Sequence, residues 1–296
     1  MWLADQWNDY EVIDCSKGEK LERWGDYLLV RPDPQVIWDT PKKEKGWRKM
    51  NGHYHRSSKG GGEWEFFQLP KEWTIQYSLP INKKLTFHLK PFSFKHTGLF
   101  PEQAANWNWF SQLIADAVSK GRQVKVLNLF AYTGGATLAA AAAGASVTHV
   151  DASKGMVTWA KENAISSGLK DAPIRWLVDD CVKFVEREIR RGNHYDAIIM
   201  DTPSYGRGPK GEIWKIEESV YPLIQLCSQI LTDNPLFFLI NSYTTGLQPA
   251  VLSYMISTVL GTANGTVTAS EIGLPVSSNG LVLPCGASGR YEATGI

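Results

Sequence analysis

Four short clusters between residues 128 and 206 combine residue types and spacings suited to chemistry. The first is Asn128-Leu129-Phe130-Ala131-Tyr132-Thr133-Gly134-Gly135, an apolar run closing on paired glycines, where the backbone can turn tightly and a ligand can come close. About 16 residues past those glycines a second strand-like run closes on Asp151-Ala152-Ser153, a carboxylate placed to accept from the two hydroxyls of an adenosine ribose. The plainer alternative makes Gly134-Gly135 a turn and Asp151 a helix N-cap. A third run closes on Asp179-Asp180, where a side chain or backbone group could read an adenine edge. The fourth closes on Asp201-Thr202-Pro203-Ser204-Tyr205-Gly206. An acid followed by x-Pro and an aromatic suits a planar substrate: the carboxylate or a neighbouring carbonyl accepts from an amine, and the ring stacks. A surface turn would explain Pro203 and Gly206, but it leaves Asp201 and Tyr205 without a reason.

The elements that must position these clusters are legible as a rhythm. An apolar strand over 124–130 and strands over 146–151, 174–178, 195–201 and 235–241 alternate with helices over 101–120, 134–145, 154–168, 181–191 and one ending near Thr232. This predicts right-handed βαβ units on a parallel sheet covered on both faces. In such sheets ligands bind beyond the carboxyl ends of the strands, where all four clusters fall. Residues 267–272 and 281–284 read as a closing antiparallel pair. Before residue 95 the texture differs: 27–31, 63–67, 73–77 and 84–89 are short β-prone runs between turn residues, and seven of the twelve tryptophans precede residue 80. The expected architecture is α/β. A Rossmann-like domain over 96–296, with a mostly parallel doubly wound sheet and an antiparallel last strand, follows a small antiparallel β domain over 1–95.

A dinucleotide would need the G-x-G-x-x-G fingerprint for its pyrophosphate, and the adjacent Gly134-Gly135 followed by Ala136-Thr137 does not supply it. S-adenosylmethionine has no phosphate and tolerates the looser loop. It is the cofactor expected here, bound by Asn128, Phe130, Tyr132, Thr133, Gly134, Gly135, Asp151, Ser153, Asp179 and Asp180.

Composition sets the remaining bounds. With 296 residues, 43% hydrophobic and 21% charged, the chain can bury a sizeable core, and its length favours two unequal domains. A net charge of +1 gives no case for a polyanionic partner, so that case rests on local clustering. Such a cluster exists over 41–60, where Lys42, Lys43, Lys45, Arg48, Lys49, Arg56 and Lys59 face Glu44 alone and are interleaved with Trp47, His53, Tyr54 and His55. Phosphate contact and base stacking on RNA is one reading of it, a solvated charged loop the other. Residues 205–218, with Arg207, Lys210, Trp214 and Lys215, stand open to the same two readings. The four cysteines (Cys15, Cys181, Cys227, Cys285) form no metal knuckle and fit a reducing cytoplasm; no metal ligand set is read. Neither a leader-like N-terminus nor a membrane-length apolar run is present.

Residues 128–135, Asp151-Ala152-Ser153, Asp201-Thr202-Pro203-Ser204-Tyr205 and the upstream Thr97-Gly98-Leu99-Phe100-Pro101-Glu102-Gln103, in that fold order, resemble the S-adenosylmethionine-dependent methyltransferases related to the large-subunit ribosomal RNA cytosine-C5 methyltransferase. The resemblance spans roughly residues 84–245. It implies a methyltransferase acting on RNA, ribosomal RNA in particular, with Phe100 and Gln103 contributing to the cofactor pocket. Two departures stand out: Thr202 interrupts the family's Asp-Pro-Pro, and the fifth strand closes on Asn241-Ser242-Tyr243 where the cytosine-C5 enzymes carry a nucleophilic cysteine. Methylation at a base nitrogen or another non-C5 atom is therefore expected, with Asp201, Pro203, Ser204, Tyr205 and Asn241 at the reacting centre. A small-molecule methyltransferase with the β domain as a lid, and a non-enzymatic RNA-binding protein on a vestigial fold, are the alternatives. The sequence leaves the oligomeric state open.

Overall fold

A computed structural model describes residues 1–295. In chain order the strands of the first part are β1 (Trp2–Leu3), β2 (Tyr10–Ser16), β3 (Glu19–Trp24), β4 (Tyr27–Pro32), β5 (Gly52–Arg56), β6 (Gly62–Phe66), β7 (Trp73–Leu79) and β8 (Lys83–Leu89). There follow α1 (Ala104–Ser119), β9 (Lys125–Leu129), α2 (Gly135–Ala142), β10 (Ser146–Asp151), α3 (Lys154–Ser166), β11 (Ile174–Val178), α4 (Cys181–Arg191) and β12 (Ala197–Thr202). The chain closes with β13 (Tyr205–Arg207), β14 (Ile213–Lys215), α5 (Ile216–Ser228), β15 (Phe237–Ser242), α6 (Pro249–Leu260), β16 (Gly265–Pro275) and β17 (Val282–Ala293).

The central sheet has the order β1-β16-β17-β15-β12-β9-β10-β11. Strands β9, β10, β11, β12 and β15 run parallel, and β17 returns antiparallel against β15. The expected doubly wound α/β architecture is therefore present. Side chains alternate across the pleat, so neighbouring residues serve opposite faces. Val126, Ile199 and Phe237 pack with Trp107, Phe110 and Leu138 of α1 and α2, whereas Leu127, Ile198 and Phe238 pack with Phe184, Leu223 and Ile256 of α4, α5 and α6. Burial on both faces is what makes these strands near-continuous apolar runs.

The small N-terminal β domain also forms, as a five-stranded sheet in the order β2-β3-β4-β5-β6. It is not wholly antiparallel, since β4 and β5 pair in parallel through Leu29↔Gly52 and Val30↔His53. Two early segments lie elsewhere. β1 adds in parallel to β16 at the edge of the central sheet, and β7 and β8 form a separate hairpin whose β8 is tied to α3 by hydrogen bonds from Thr86 N to Ser167 Oγ and His88 N to Asn163 Oδ1. The long helix expected to end near Thr232 is α5, which stops at Ser228, and the β13–β14 hairpin occupies the segment before it. Among the described residues no helix is long and apolar enough to cross a membrane.

Candidate active site

The loop leaving β9 holds an unusual backbone. Phe130 and Tyr132, neither a glycine, sit at φ 54° and 52°, and Gly134 follows at 88°. Left-handed geometry costs a non-glycine residue about 1–3 kcal/mol, so it persists only where the surroundings enforce it. Here Tyr132 N donates to Asp151 Oδ2 at 2.8 Å, Ala131 N to Val150 O at 3.1 Å and Phe130 N to Cys181 Sγ at 3.3 Å. The glycines have different reasons. Gly134 supplies the positive φ at the start of α2, while a Cβ on Gly135 would lie 2.7 Å from Trp107, so that position is small because α1 crosses it.

Asp151 closes β10 and accepts from two backbone amides, Tyr132 N and, through Oδ1, Ser153 N at 2.9 Å. The N-cap of α3 is Ser153, whose hydroxyl accepts from Met156 N, so capping does not account for Asp151. A carboxylate has about four acceptor positions, which leaves Asp151 capacity toward the cleft it lines. Burial raises its pKa above the ordinary carboxylate value, and the two amides oppose that rise. Ser153→Ala should lower stability in chemical denaturation by about 1 kcal/mol, the usual worth of an N-cap hydroxyl, and should weaken cofactor binding less than loss of Asp151.

Around this pair the other expected cofactor residues divide. Phe100, Phe130, Tyr132, Asp151, Ser153 and Asp180 line one cleft of about 430 Å³ beyond the strand ends. Gln103, Asn128, Thr133 and Gly135 line a narrower recess of about 50 Å³, which shares Phe100, Phe130, Tyr132 and Asp201 with the cleft. Asn128 spends its amide on Thr137, and Thr133 spends its hydroxyl on the carbonyl of Gly98, so both act by holding the loop. Asp179 stands outside both linings in an ion pair with Arg187, and Asp180 caps α4 by accepting from Lys183 N. At the third strand end the cleft therefore meets Asp180, Cys181 and Val182, and Asp179 is directed away from it.

The expected reacting centre is held by a network that spans the sheet. Asp201 on β12 lies beside Asn241 on β15 in register, and Asn241 Nδ2 donates to Asp201 Oδ1 at 2.8 Å. Ser288 Oγ donates to Asn241 Oδ1 at 2.8 Å, and Asn106 Nδ2 donates to Ser288 Oγ and to Gln103 Oε1, both at 3.0 Å. Gln103 Nε2 in turn donates to the Tyr243 hydroxyl at 2.7 Å. The Asp201 carboxyl thus has one fixed donor and an open side on the cleft. Burial pushes its pKa up to about 7, against the Asn241 donor that lowers it and with nearby Glu102 adding to the rise. Pro203 lines the cleft and its carbonyl accepts from Trp214 Nε1 at 2.7 Å; Tyr205, 52% exposed, stands at the mouth. Ser204 lies outside both linings, bonded to Thr244 Oγ1 at 2.6 Å. Several lining residues were not among the expected site residues, Tyr243, Cys181 and Val182 among them; Tyr243 was visible only as the aromatic that follows Asn241-Ser242 at a strand end.

The cleft fits S-adenosylmethionine better than a phosphate-bearing cofactor. Arg207 is the one basic side chain among its described lining residues, so no cluster of cations faces the cleft to balance a pyrophosphate. Asp151 offers acceptors for ribose hydroxyls. Phe100 sits 5.2 Å from Tyr132 and 5.5 Å from Tyr243, ring centre to ring centre, a set of aromatic faces suited to a sulfonium cation. The Tyr132 hydroxyl is buried with the Gly98 backbone as its near polar neighbour and no well-formed hydrogen bond in the protein, so it keeps capacity for a ligand.

Comparison with known proteins agrees with this geometry. Residues 69–216 match the family model described as S-adenosylmethionine-dependent methyltransferase. The crystal structure of a SAM-dependent methyltransferase from Agrobacterium tumefaciens is 36% identical and superimposes with a TM-score of 0.89, covering 97% of this chain and 91% of that one. Two curated proteins named ribosomal RNA large subunit methyltransferase K/L are also similar. The one from Pseudoalteromonas atlantica is 27% identical over 76% of this chain and 33% of its own length, and the one from Shewanella oneidensis is 31% identical over 78% and 31%. The chain thus spans no more than about a third of the curated relatives it matches. With loop, carboxylates and cleft in these places, and with those likenesses, the chain belongs to the S-adenosylmethionine-dependent methyltransferase family.

Proposed function

We propose that this enzyme methylates RNA, ribosomal RNA in particular, at a base nitrogen or another non-C5 atom. The observation that carries the reading is Asp201, a carboxyl with pKa near 7 held by Asn241 at the mouth of the cofactor cleft. A group so poised can accept the proton or hydrogen bond of a base nitrogen as its lone pair is aligned for transfer. The cofactor supplies an electrophilic methyl group; Pro203 and Tyr205 would flank the base, and Asn241 would keep the carboxylate aimed. Cytosine-C5 chemistry needs a thiolate. Cys181, the one thiol among the described lining residues, is pushed far up by burial, as is Cys285 beyond the lining.

The substrate half of the proposal rests on the β domain. Of the 41–60 cluster, Lys43, Lys45, Arg48, Lys49, Arg56 and Lys59 are exposed, whereas Lys42 is tied to Glu19 at 2.9 Å and lies over Trp47. Trp47 and Tyr54 are buried, so neither is a stacking surface; Trp38, Phe66 and Phe67 are the exposed aromatic rings nearest in sequence. Residues 1–95 as the substrate-binding part, residues 96–296 as the catalytic part and a cytoplasmic setting belong to the same reading. Replacing Lys43, Lys45 and Lys49 by alanine should weaken binding to a ribosomal RNA fragment and reduce the log–log salt slope by about 0.7 per lost phosphate contact on single strands. Filter binding across a salt series measures it, and an unchanged slope would remove this surface from the substrate interface.

A further inference from the structure

One cluster of ligating side chains lies apart from the catalytic cleft, on the β5–β6 hairpin. His53 and His55, two apart on β5, project from the same face, and Glu65 lies opposite His53 in register on β6. The two imidazoles are 3.9 Å apart between ring centres, and one ligand atom each from His53, His55 and Glu65 falls within 4.8 Å of the others. A fourth donor is at hand: Glu19 on β3 reaches His53 Nε2 through Oε2 at 2.6 Å. We propose that His53, His55 and Glu65, with Glu19 as the fourth arm, form a binding site for a divalent transition metal of the zinc class.

The chemistry favours that class. Two imidazole nitrogens and two carboxylates suit zinc, nickel or copper, whereas calcium and magnesium prefer all-oxygen sets. The donors also come from three strands. Since β5 is joined to β4 through only two residue pairs, an ion held by Glu19, His53, His55 and Glu65 would tie the outer hairpin to the body of the small sheet. An ion that binds the folded chain and not the unfolded one raises thermal stability with the logarithm of its concentration over Kd.

The test uses the full chain, stripped with chelator and titrated with zinc chloride in a calorimeter. One zinc per chain at micromolar affinity is expected, with a rise in melting temperature at saturation. His55→Ala and Glu65→Gln, both at exposed positions, should each reduce affinity by at least about tenfold and leave the metal-free melting temperature unchanged. The His53→Ala/His55→Ala double variant should lose the zinc-dependent rise. Absence of binding heat would overturn the proposal, and so would zinc affinity in the double variant equal to that of the unaltered protein. If the double variant melts lower without metal, the two exposed single variants decide the matter alone.

Discussion

Asp201→Ala is expected to reduce methyl transfer by about two to four orders of magnitude, the usual range for loss of a positioned acid–base group, while S-adenosylmethionine affinity stays within a few-fold. In the proposed reading the carboxyl serves the substrate, whereas Asp151 and the 130–135 loop serve the adenosine. Asp201→Asn separates two roles. It keeps an acceptor and the Asn241 neighbour, so residual activity well above the alanine variant would assign Asp201 to hydrogen bonding, and equal loss would assign it to proton acceptance. The pH dependence has a definite sign. With the Asp201 pKa raised to about 7, its ionised form accumulates as pH rises through neutrality, and kcat/KM should rise with it. Stability runs the other way. The folded state binds this proton more tightly than the unfolded chain, so the contribution of Asp201 is full below the ordinary carboxylate pKa and is lost as pH rises through about 7.

Asp151→Ala is expected to weaken S-adenosylmethionine binding by about ten- to a hundredfold, corresponding to loss of a charged acceptor. Two effects combine in this variant. The ribose loses its acceptor, and the amides of Tyr132 and Ser153 lose theirs, which releases the left-handed backbone that aims Phe130 and Tyr132. Calorimetry checks the affinity, and an unchanged value would remove Asp151 from the cofactor site. Because Asp151 and Asp201 sit on different strands with separate partners, their variants should separate binding from turnover.

The parts of this molecule that could be read from sequence are those where one physical rule acts alone. β9, β12 and β15 are buried on both faces, so they announce themselves as apolar runs; β10, with Thr148 and His149 buried, is read from the strand–helix rhythm around it, and the strand-end rule then pointed to Asp151 and Asp201 without any contact information. β2 and β3 were invisible for the opposite reason. Glu22 is fully buried in an ion pair with Arg31 of β4 and accepts from Tyr10, so charged residues interrupt the alternation that marks a half-buried strand. α6 buries only Leu252 and Ile256, one turn apart, among β-branched neighbours that blur its period. The network behind Asp201 was also out of reach, since Asn106 meets Ser288 across 182 residues and Gln103 meets Tyr243 across 140. Local pattern also left Asp179 and Asp180 equivalent; tertiary placement alone turns one toward Arg187 and the other to the head of α4.

The most direct test is mass spectrometry of nucleosides from ribosomal RNA incubated with the purified enzyme and isotopically labelled S-adenosylmethionine, with Asp201→Ala and Cys285→Ser run in parallel. The account predicts label on a base at a nitrogen or other non-C5 atom with the unaltered enzyme and with Cys285→Ser, and none with Asp201→Ala. Label recovered as 5-methylcytidine and lost in Cys285→Ser would contradict it, because that result requires a thiolate where burial holds the thiol protonated.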